Sequence, residues 1–243
     1  GAAELLGDLL NSWKPYALLH EWRLPDGFDA RVKVMQQEEC RIEVDELDHS
    51  TFTYTYYDNR GSKRGLSNAA NVVHSVDAYI CRTMHRRCNY DKAQVALAAE
   101  ALEIALLERS MGTTQVTENV PERVAYYIAQ YERSGLADVV ILPYLRDRNL
   151  QYISTEHMLR LSRIVVMMLE REPFELVTVH DEFKAHCNNI NRVRFHYKEI
   201  LAELADSRVL DDLLSQLYQT TGTFPKKSKN LGALIRKSNY ALC

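Results

Sequence analysis

The chain lacks the features that mark several common classes of protein. Its five cysteines form no CxxC pair and no His/Cys spacing typical of a zinc site, and their odd number argues for reduced thiols. No run approaches the roughly 18 apolar residues that a membrane-spanning helix needs. Positive charge is not in excess either, since the formal net charge is −3. These absences predict a cytoplasmic protein without zinc, without a membrane span and without the overall basic character usual in nucleic-acid binders.

The chain does contain enough apolar material for a sizeable core. Its 243 residues are 46% hydrophobic, which suits one large or two small domains. It opens without methionine and runs directly into a helical pattern that includes Leu5, Leu6 and Leu9. A start inside a helix suggests a fragment, or a chain whose N-terminal part is missing.

Positive charge is concentrated in three short segments, at residues 60–64, 82–92 and 226–237. Local basic grooves suffice for phosphate contacts even in a protein of neutral net charge. The alternative for each segment is a solvated charged face.

Residues 174–183 carry the most information, and they read Phe-Glu-Leu-Val-Thr-Val-His-Asp-Glu-Phe. The β-branched run predicts a buried strand that ends at His180 and Asp181. A carboxylate at the end of a buried strand is costly to bury alone, so Asp181 should be paired or bound to a metal ion. The alternative is an ordinary strand end with a polar turn.

Four elements resemble, in family order, the single-subunit RNA polymerases of bacteriophages and mitochondria. Residues 22–28 are similar to the family's Trp-x-x-Pro-x-Gly-Phe strand–turn–strand, and residues 74–77 read His-Ser-Val-Asp, like its His-Ser-x-Asp. Residues 180–183 match its His-Asp-x-Phe turn. Residues 230–243 resemble its C-terminal end, a short helix followed by Ser-Asp-Phe-Ala. Four ordered elements are more specific than any one of them.

This resemblance implies an α+β fold, the C-terminal palm and fingers portion of a right-hand polymerase, with an extra and mostly helical insertion. It covers about residues 17–88 and 174–243. Residues 1–88 are then a β-rich section with the His-Ser-x-Asp helix, and 156–243 are the palm with the carboxylate turn and C-terminal foot. Residues 89–155 are the insertion, which departs from the family pattern and contains no catalytic motif.

The residue pattern also predicts local structure. Strands are expected near 18–24, 28–36, 39–44 and 50–57, followed by a loop from Asp58 to Asn71. Helices are expected from Ser75 or Asp77 to about Arg87, from Ser154 or Thr155 to about Arg171, and over 191–204 behind a returning strand near 183–186.

The activity implied by the resemblance is DNA-directed RNA synthesis. Nucleotidyl transfer uses two Mg²⁺ ions about 3.5–4 Å apart. The resemblance implies that Asp181 is catalytic and binds metal, while His180 shapes the site. Glu182 is an accessory candidate that we expect to be a peripheral carboxylate. Asp77 and the terminal carboxylate of Cys243 are further accessory candidates.

Two residues are candidates for nucleic-acid binding. The family's matching histidine touches the minor-groove edge of the base pair at the active site, and the resemblance implies that role for His74. Arg82, further along the same predicted helix, is expected to contact a phosphate. The alternative for His74 is a satisfied core histidine.

The family's other catalytic aspartate and its nucleotide-binding helix have no counterpart in this sequence. The chain alone should therefore be inactive. The implied partners are a second polymerase chain with those elements, the DNA template, the nascent RNA and ribonucleoside triphosphates. A split arrangement exists in the enquatrovirus bacteriophages, whose middle-gene RNA polymerase is a heterodimer, and it implies the cytoplasm of an infected bacterial host.

Three questions stay open at this point. The missing half is either a separate subunit or an absent part of the same chain. A fragment of a family A-like DNA polymerase would explain Glu182. A non-catalytic interaction subunit on a polymerase fold would keep the sheet and tolerate the loss of Asp181.

Overall fold

The computed structural model describes residues 2–12, 14, 17–61, 66–112, 120–179, 182–224, 226 and 228–239. Within these ranges the chain combines α-helices with two-stranded antiparallel sheets, which confirms the predicted α+β class. None of the described helices is both long and apolar enough to cross a membrane. The chain divides into two compact units. The first comprises 1–23, 29–75 and 214–222, and the second comprises 24–28, 76–213 and 223–243.

Two antiparallel ribbons make up most of the first unit. Helix α1 (Ala2–Asn11) precedes strands β1 (Leu19–Arg23) and β2 (Asp29–Lys33), which pair with each other. Strands β3 (Met35–Val44) and β4 (Ser50–Gly61) form the second ribbon. The four predicted strands are therefore confirmed. The third begins earlier than expected, and the fourth continues into the region predicted as a loop.

Helix α2 (Leu66–Cys88) begins well before either predicted N-cap. Ser75 lies inside the helix, where its hydroxyl donates to the Val72 carbonyl at 2.7 Å. A serine can occupy a helix interior when its hydroxyl bonds back to the preceding turn. Ala69 and Val72 are buried, so packing extends the helix through residues whose local signals predicted a loop. The predicted start at Ser75 or Asp77 is wrong for this reason.

The second unit has one large hydrophobic core. Its members come from α3 (Lys92–Ser110), α4 (Glu122–Ser134), α5 (Thr155–Leu169) and the segment between α4 and α5. The Ser154 hydroxyl accepts a hydrogen bond from the His157 N–H at 3.2 Å, which confirms the predicted cap of α5. Helices of the predicted insertion thus share a core with α5, and the compact units follow other boundaries than 88 and 155.

The rest of the second unit begins with β5 (Val177–Val179) and β6 (Glu182–Lys184). Helices α6 (Ile190–Asp206), α7 (Val209–Tyr218) and α8 (Leu231–Lys237) follow along the chain, and α7 ends in the first unit. The expectation of a buried strand is wrong here. Val177 is 57% exposed and Val179 is 45% exposed, because among the described residues β5 pairs with β6 alone in a short two-stranded sheet.

Candidate active site

Strands β5 and β6 lie on either side of His180 and Asp181 in the chain and pair antiparallel, and we call these two strands the hairpin. The register pairs Val177 with Lys184, Thr178 with Phe183, and Val179 with Glu182. His180 and Asp181 are the two residues between the strands, and both lie outside the described residues. The predicted strand before these two residues and the returning strand after them are confirmed. The catalytic roles of His180 and Asp181 stay predictions.

Helix α6 supports this hairpin from behind. The ring of Phe183 meets that of Tyr197 edge-on, with centroids 5.6 Å apart and an angle of 61° between the planes. Val193 and Ile200 are buried on α6 one turn to either side of Tyr197. Edge-to-face aromatic pairs contribute about 0.5–1.5 kcal/mol beyond the area they bury. The expected helix behind the returning strand is therefore present, and Phe183 anchors the hairpin to it.

The same stretch of α6 holds the end of the described chain. Arg194 donates from Nη2 to the Asn239 carbonyl at 2.9 Å, and Lys198 donates from Nζ to the Ser238 carbonyl at 3.1 Å. Both acceptors follow α8, where cations satisfy carbonyls left free by a helix end. Arg194 and Lys198 flank Tyr197 in the sequence. One turn of α6 therefore contacts both the hairpin and the tail, by which we mean the described residues after α8. Cys243 lies outside the described residues.

Arg236 also holds α8 against α6. Its guanidinium donates from Nε to Glu199 at 3.0 Å and from Nη1 to Asp206 at 2.9 Å. The predicted short helix before the C-terminal end is confirmed, and it is held by a charged cluster rather than by apolar packing alone.

Glu182 is the first described residue after Asp181. Its side chain is exposed and lies 3.5 Å from the Lys184 ammonium, a pairing of the kind that contributes little in water. Carboxylate oxygens suit Mg²⁺, but two ions need more carboxylates than a single turn supplies. Metal binding at this turn therefore stays a prediction.

A different acidic group lies elsewhere in the described part of the chain. Glu43, Asp45 and His49 bring one ligand atom each within 4.8 Å of the others, at the end of the β3–β4 ribbon. All three side chains are exposed, and His49 Nδ1 is 3.0 Å from Glu43 and 3.3 Å from Asp45. Exposed groups of this kind are common without a metal ion, and this one is not specific to Mg²⁺.

The two nucleic-acid candidates lie on α2 in different environments. His74 is exposed, so the alternative of a satisfied core histidine is wrong. Asp77 is half-buried inside the helix. Arg82 donates from Nε to Asp26 Oδ2 at 2.7 Å and from Nη2 to Oδ1 at 3.1 Å, and it lies 4.4 Å from the Phe28 ring centre. Asp26 thus already neutralises Arg82, whose predicted phosphate contact stays a prediction.

Asp26 belongs to a buried charged network that the sequence did not reveal. Arg86 lies 3.3 Å from Asp26 and 3.0 Å from Asp138, and both carboxylates are almost fully buried. Burial alone would raise the pKa of Asp138, but Arg86 and the Val140 N–H together hold it below its ordinary value. The Pro-Asp-Gly sequence signalled a turn at Asp26. Its partners are 56 and 60 residues away, and no local pattern identifies them.

A second contact joins the first two family-like elements. The Trp22 indole donates from Nε1 to the Ser75 hydroxyl at 2.9 Å, and both side chains are buried in the first unit. Ser75 is the serine of His-Ser-x-Asp, and Trp22 begins the Trp-x-x-Pro-x-Gly-Phe element. Two elements that are 53 residues apart in the chain therefore meet directly.

A cavity of about 260 Å³ in the second unit has arginines in its wall, among them Arg160, Arg163 and Arg236. Arg236 is bound by Glu199 and Asp206, and Arg163 lies 3.5 Å from Glu199. Arg160 donates to the Gly135 carbonyl and to Glu156, both at 2.7 Å. Since these cations are paired, the cavity does not form a free anion site.

Neither a known protein-family model nor any curated protein matches this chain. The likeness to polymerases therefore rests on the four short sequence elements alone.

Proposed function

We propose that the chain is part of a DNA-directed RNA polymerase that adds ribonucleotides only together with complementary polymerase segments. One observation carries the proposal: a single turn of α6 contacts both the His-Asp-x-Phe hairpin and the family-like tail. Tyr197 packs on Phe183, while Arg194 and Lys198 bind the carbonyls of Asn239 and Ser238. A chance match of short motifs would not require these two elements to share one supporting helix.

The Trp22–Ser75 hydrogen bond supports the proposal independently. It lies in the other compact unit and joins the remaining two family-like elements. His74, next to Ser75, is exposed on α2, which leaves its ring accessible for a base edge as the resemblance implies.

In this proposal Asp181 supplies carboxylate oxygens to the metal site. When bound, Mg²⁺ would stabilise charge on the attacking 3′-oxygen and on the leaving pyrophosphate. Phe183, two residues after Asp181 in the chain, packs on Tyr197 and anchors the returning strand β6 to α6. Such positioning matters because a metal site tolerates little displacement of its ligands.

The second catalytic carboxylate and the nucleotide-binding helix come from a partner chain in this account. That partner, the DNA template, the nascent RNA and the ribonucleoside triphosphates complete the site. The cytoplasm of an infected bacterium is the proposed setting. An exposed Glu182 beside Asp181 also suits a fragment of a family A-like DNA polymerase, which is the second candidate.

The test is Mg²⁺-dependent extension of an RNA primer on a DNA template. The chain is assayed alone and with the polypeptide encoded immediately upstream, with ribonucleotides and deoxynucleotides in separate reactions. We expect ribonucleotide addition by the pair and none by the chain alone. A preference for deoxynucleotides would favour the DNA polymerase, and an inactive but stable pair would leave the chain a non-catalytic interaction subunit.

A further inference from the structure

Helix α3 is apolar on two sides. Val95, Ala98 and Leu102 are buried in the core of the second unit. On its outer side lie four large apolar residues that are at least half exposed: Leu97, Ile104, Leu107 and Met111, the last being the residue that follows the helix. A helix that is apolar all round is normally buried, so the outer side has the composition of an interface.

The exposed residues follow the spacing of a helix–helix seam. Leu97, Ile104 and Met111 are seven residues apart, and Leu107 lies three residues after Ile104. Glu100 occupies the remaining position, three residues after Leu97. This alternation of three and four is the a/d pattern through which one helix packs along another. We call these five residues the outer stripe.

Acidic residues set the charge of the outer stripe. Glu100 lies within it and Glu103 lies beside it, and both are exposed. In a parallel pairing with a second copy, Glu100 would face its own equivalent. In an antiparallel pairing it would face an apolar residue and be buried without a counter-charge, which is unfavourable. The charge therefore disfavours self-association and complements a basic partner.

We propose that the outer stripe binds an amphipathic helix of another protein, with apolar residues at three–four spacing and lysine or arginine opposite Glu100 and Glu103. The proposal does not depend on polymerase activity, because it rests on α3 alone. It assigns a role in partner binding to a helix from the section that departs from the family pattern.

The first experiment measures binding of two synthetic helical peptides to the full chain by fluorescence anisotropy. Both peptides have the same leucine and isoleucine stripe, but one has lysine and the other glutamate at the flanking positions. We expect the lysine peptide to bind at least about tenfold more tightly. That difference should shrink as salt is added, since flanking charges are screened.

Variants locate the binding surface. Leu107→Asp should weaken the lysine peptide by at least about tenfold, because it places an unpaired carboxylate in the seam. Leu234→Asp on α8 is the matched control, since Leu107 is 58% exposed and Leu234 is 59% exposed. The Leu234→Asp variant should bind the lysine peptide with the wild-type affinity. Circular dichroism verifies that both variants keep their helix content.

Charge is tested by Glu100→Gln combined with Glu103→Gln, which should remove the preference for lysine while binding persists. Three results would overturn the proposal. They are equal affinity for the two peptides, unchanged affinity of Leu107→Asp, and sedimentation showing a self-association of the chain that Leu107→Asp abolishes. The last result would make a second copy the occupant.

Discussion

The indole of Trp22 and the hydroxyl of Ser75 form a buried hydrogen bond of 2.9 Å. Ser75 uses its own hydrogen to bond the Val72 carbonyl within α2, so its oxygen is left to accept from Trp22. The pair fixes the start of one family-like element against the middle of the next. Its strength can be measured directly.

Ser75→Ala should lower the free energy of unfolding by about 1–3 kcal/mol, because the Trp22 N–H loses its acceptor while it stays buried. Urea denaturation measures the loss. Ser110→Ala is the matched control. Its hydroxyl makes the same type of bond to a carbonyl three residues earlier, at 2.7 Å, but it is exposed and has no indole partner in that bond. Equal losses in the two variants would show that the Trp22 contact contributes nothing.

Asp26→Asn should destabilise the second unit by about 3 kcal/mol, because it leaves Arg82 and Arg86 without their shared buried carboxylate. Asp29→Asn provides the comparison, since Asp29 pairs with Arg23 at 2.5 Å where both side chains are well exposed. An exposed pair of that kind contributes about 0–1 kcal/mol. Denaturant titration should show a clearly larger loss of unfolding free energy for Asp26→Asn than for Asp29→Asn. An Asp26 variant as stable as the Asp29 variant would contradict the network.

Two buried histidines predict acid sensitivity. Burial, with a nearby arginine, lowers the pKa of His157 to about 4 and that of His196 to about 3, from an ordinary 6.5. The unfolded chain therefore takes up protons below pH 6.5 that the folded chain does not bind. Stability should fall as the pH decreases from 6.5 towards 4, each histidine adding a slope of up to about 1.4 kcal/mol per pH unit.

His157→Phe tests this dependence because the new ring keeps the stack on Tyr131, whose centre lies 3.8 Å away, but cannot be protonated. The fall in unfolding free energy between pH 6.5 and 4 should become shallower. His85→Gln, at an exposed position of α2, controls for the loss of any histidine. A slope unchanged by His157→Phe would remove His157 as a source of the acid sensitivity.

Gly232→Ala should destabilise the docking of α8, although alanine normally favours a helix by about 1 kcal/mol over glycine. A Cβ at this position would lie closer than 3.0 Å to the Asp206 carboxylate, which Arg236 holds at 2.9 Å. Gly7→Ala in α1 is the comparison, since nothing lies within 4 Å of its Cβ.

In thermal unfolding, the midpoint should fall for Gly232→Ala and rise for Gly7→Ala. In an Asp206→Ala background the obstructing carboxylate is gone. There, adding Gly232→Ala should stabilise the chain, as alanine normally does in a helix. If Gly232→Ala stabilises the chain without that second change, the close approach of α8 to Asp206 is wrong.

Local signals predicted some elements because the relevant contacts are themselves local. Ser154 caps α5 through the N–H three residues later, and the residue pattern at 50–57 predicted β4. Helix α2 was placed too late because Ser75 looks like a cap in the sequence. In the fold its hydroxyl bonds to the carbonyl of the preceding turn, and Ala69 and Val72 are buried in the helical turns before it.

In the candidate site, too, local features could be predicted from the sequence and contacts between distant segments could not. The order of strand, His-Asp and strand follows from residue types over ten positions. The support of the hairpin by Tyr197 and the pairing of Arg82 with Asp26 are contacts between distant segments, which no local pattern encodes. The exposure of β5 was also missed, because a β-branched run fits both a buried strand and a short surface hairpin.

The most direct measurement is the rate of Mg²⁺-dependent ribonucleotide addition by the assembled pair of chains, with Asp181→Asn compared with wild type and with Glu182→Gln. The account predicts that Asp181→Asn lowers the rate by at least about a thousandfold, since metal ligation supplies several kcal/mol of transition-state stabilisation. Glu182→Gln should change it far less, and both variants should still assemble with the partner. Wild-type activity in an assembled Asp181→Asn pair would contradict the central claim and leave this chain without a catalytic role.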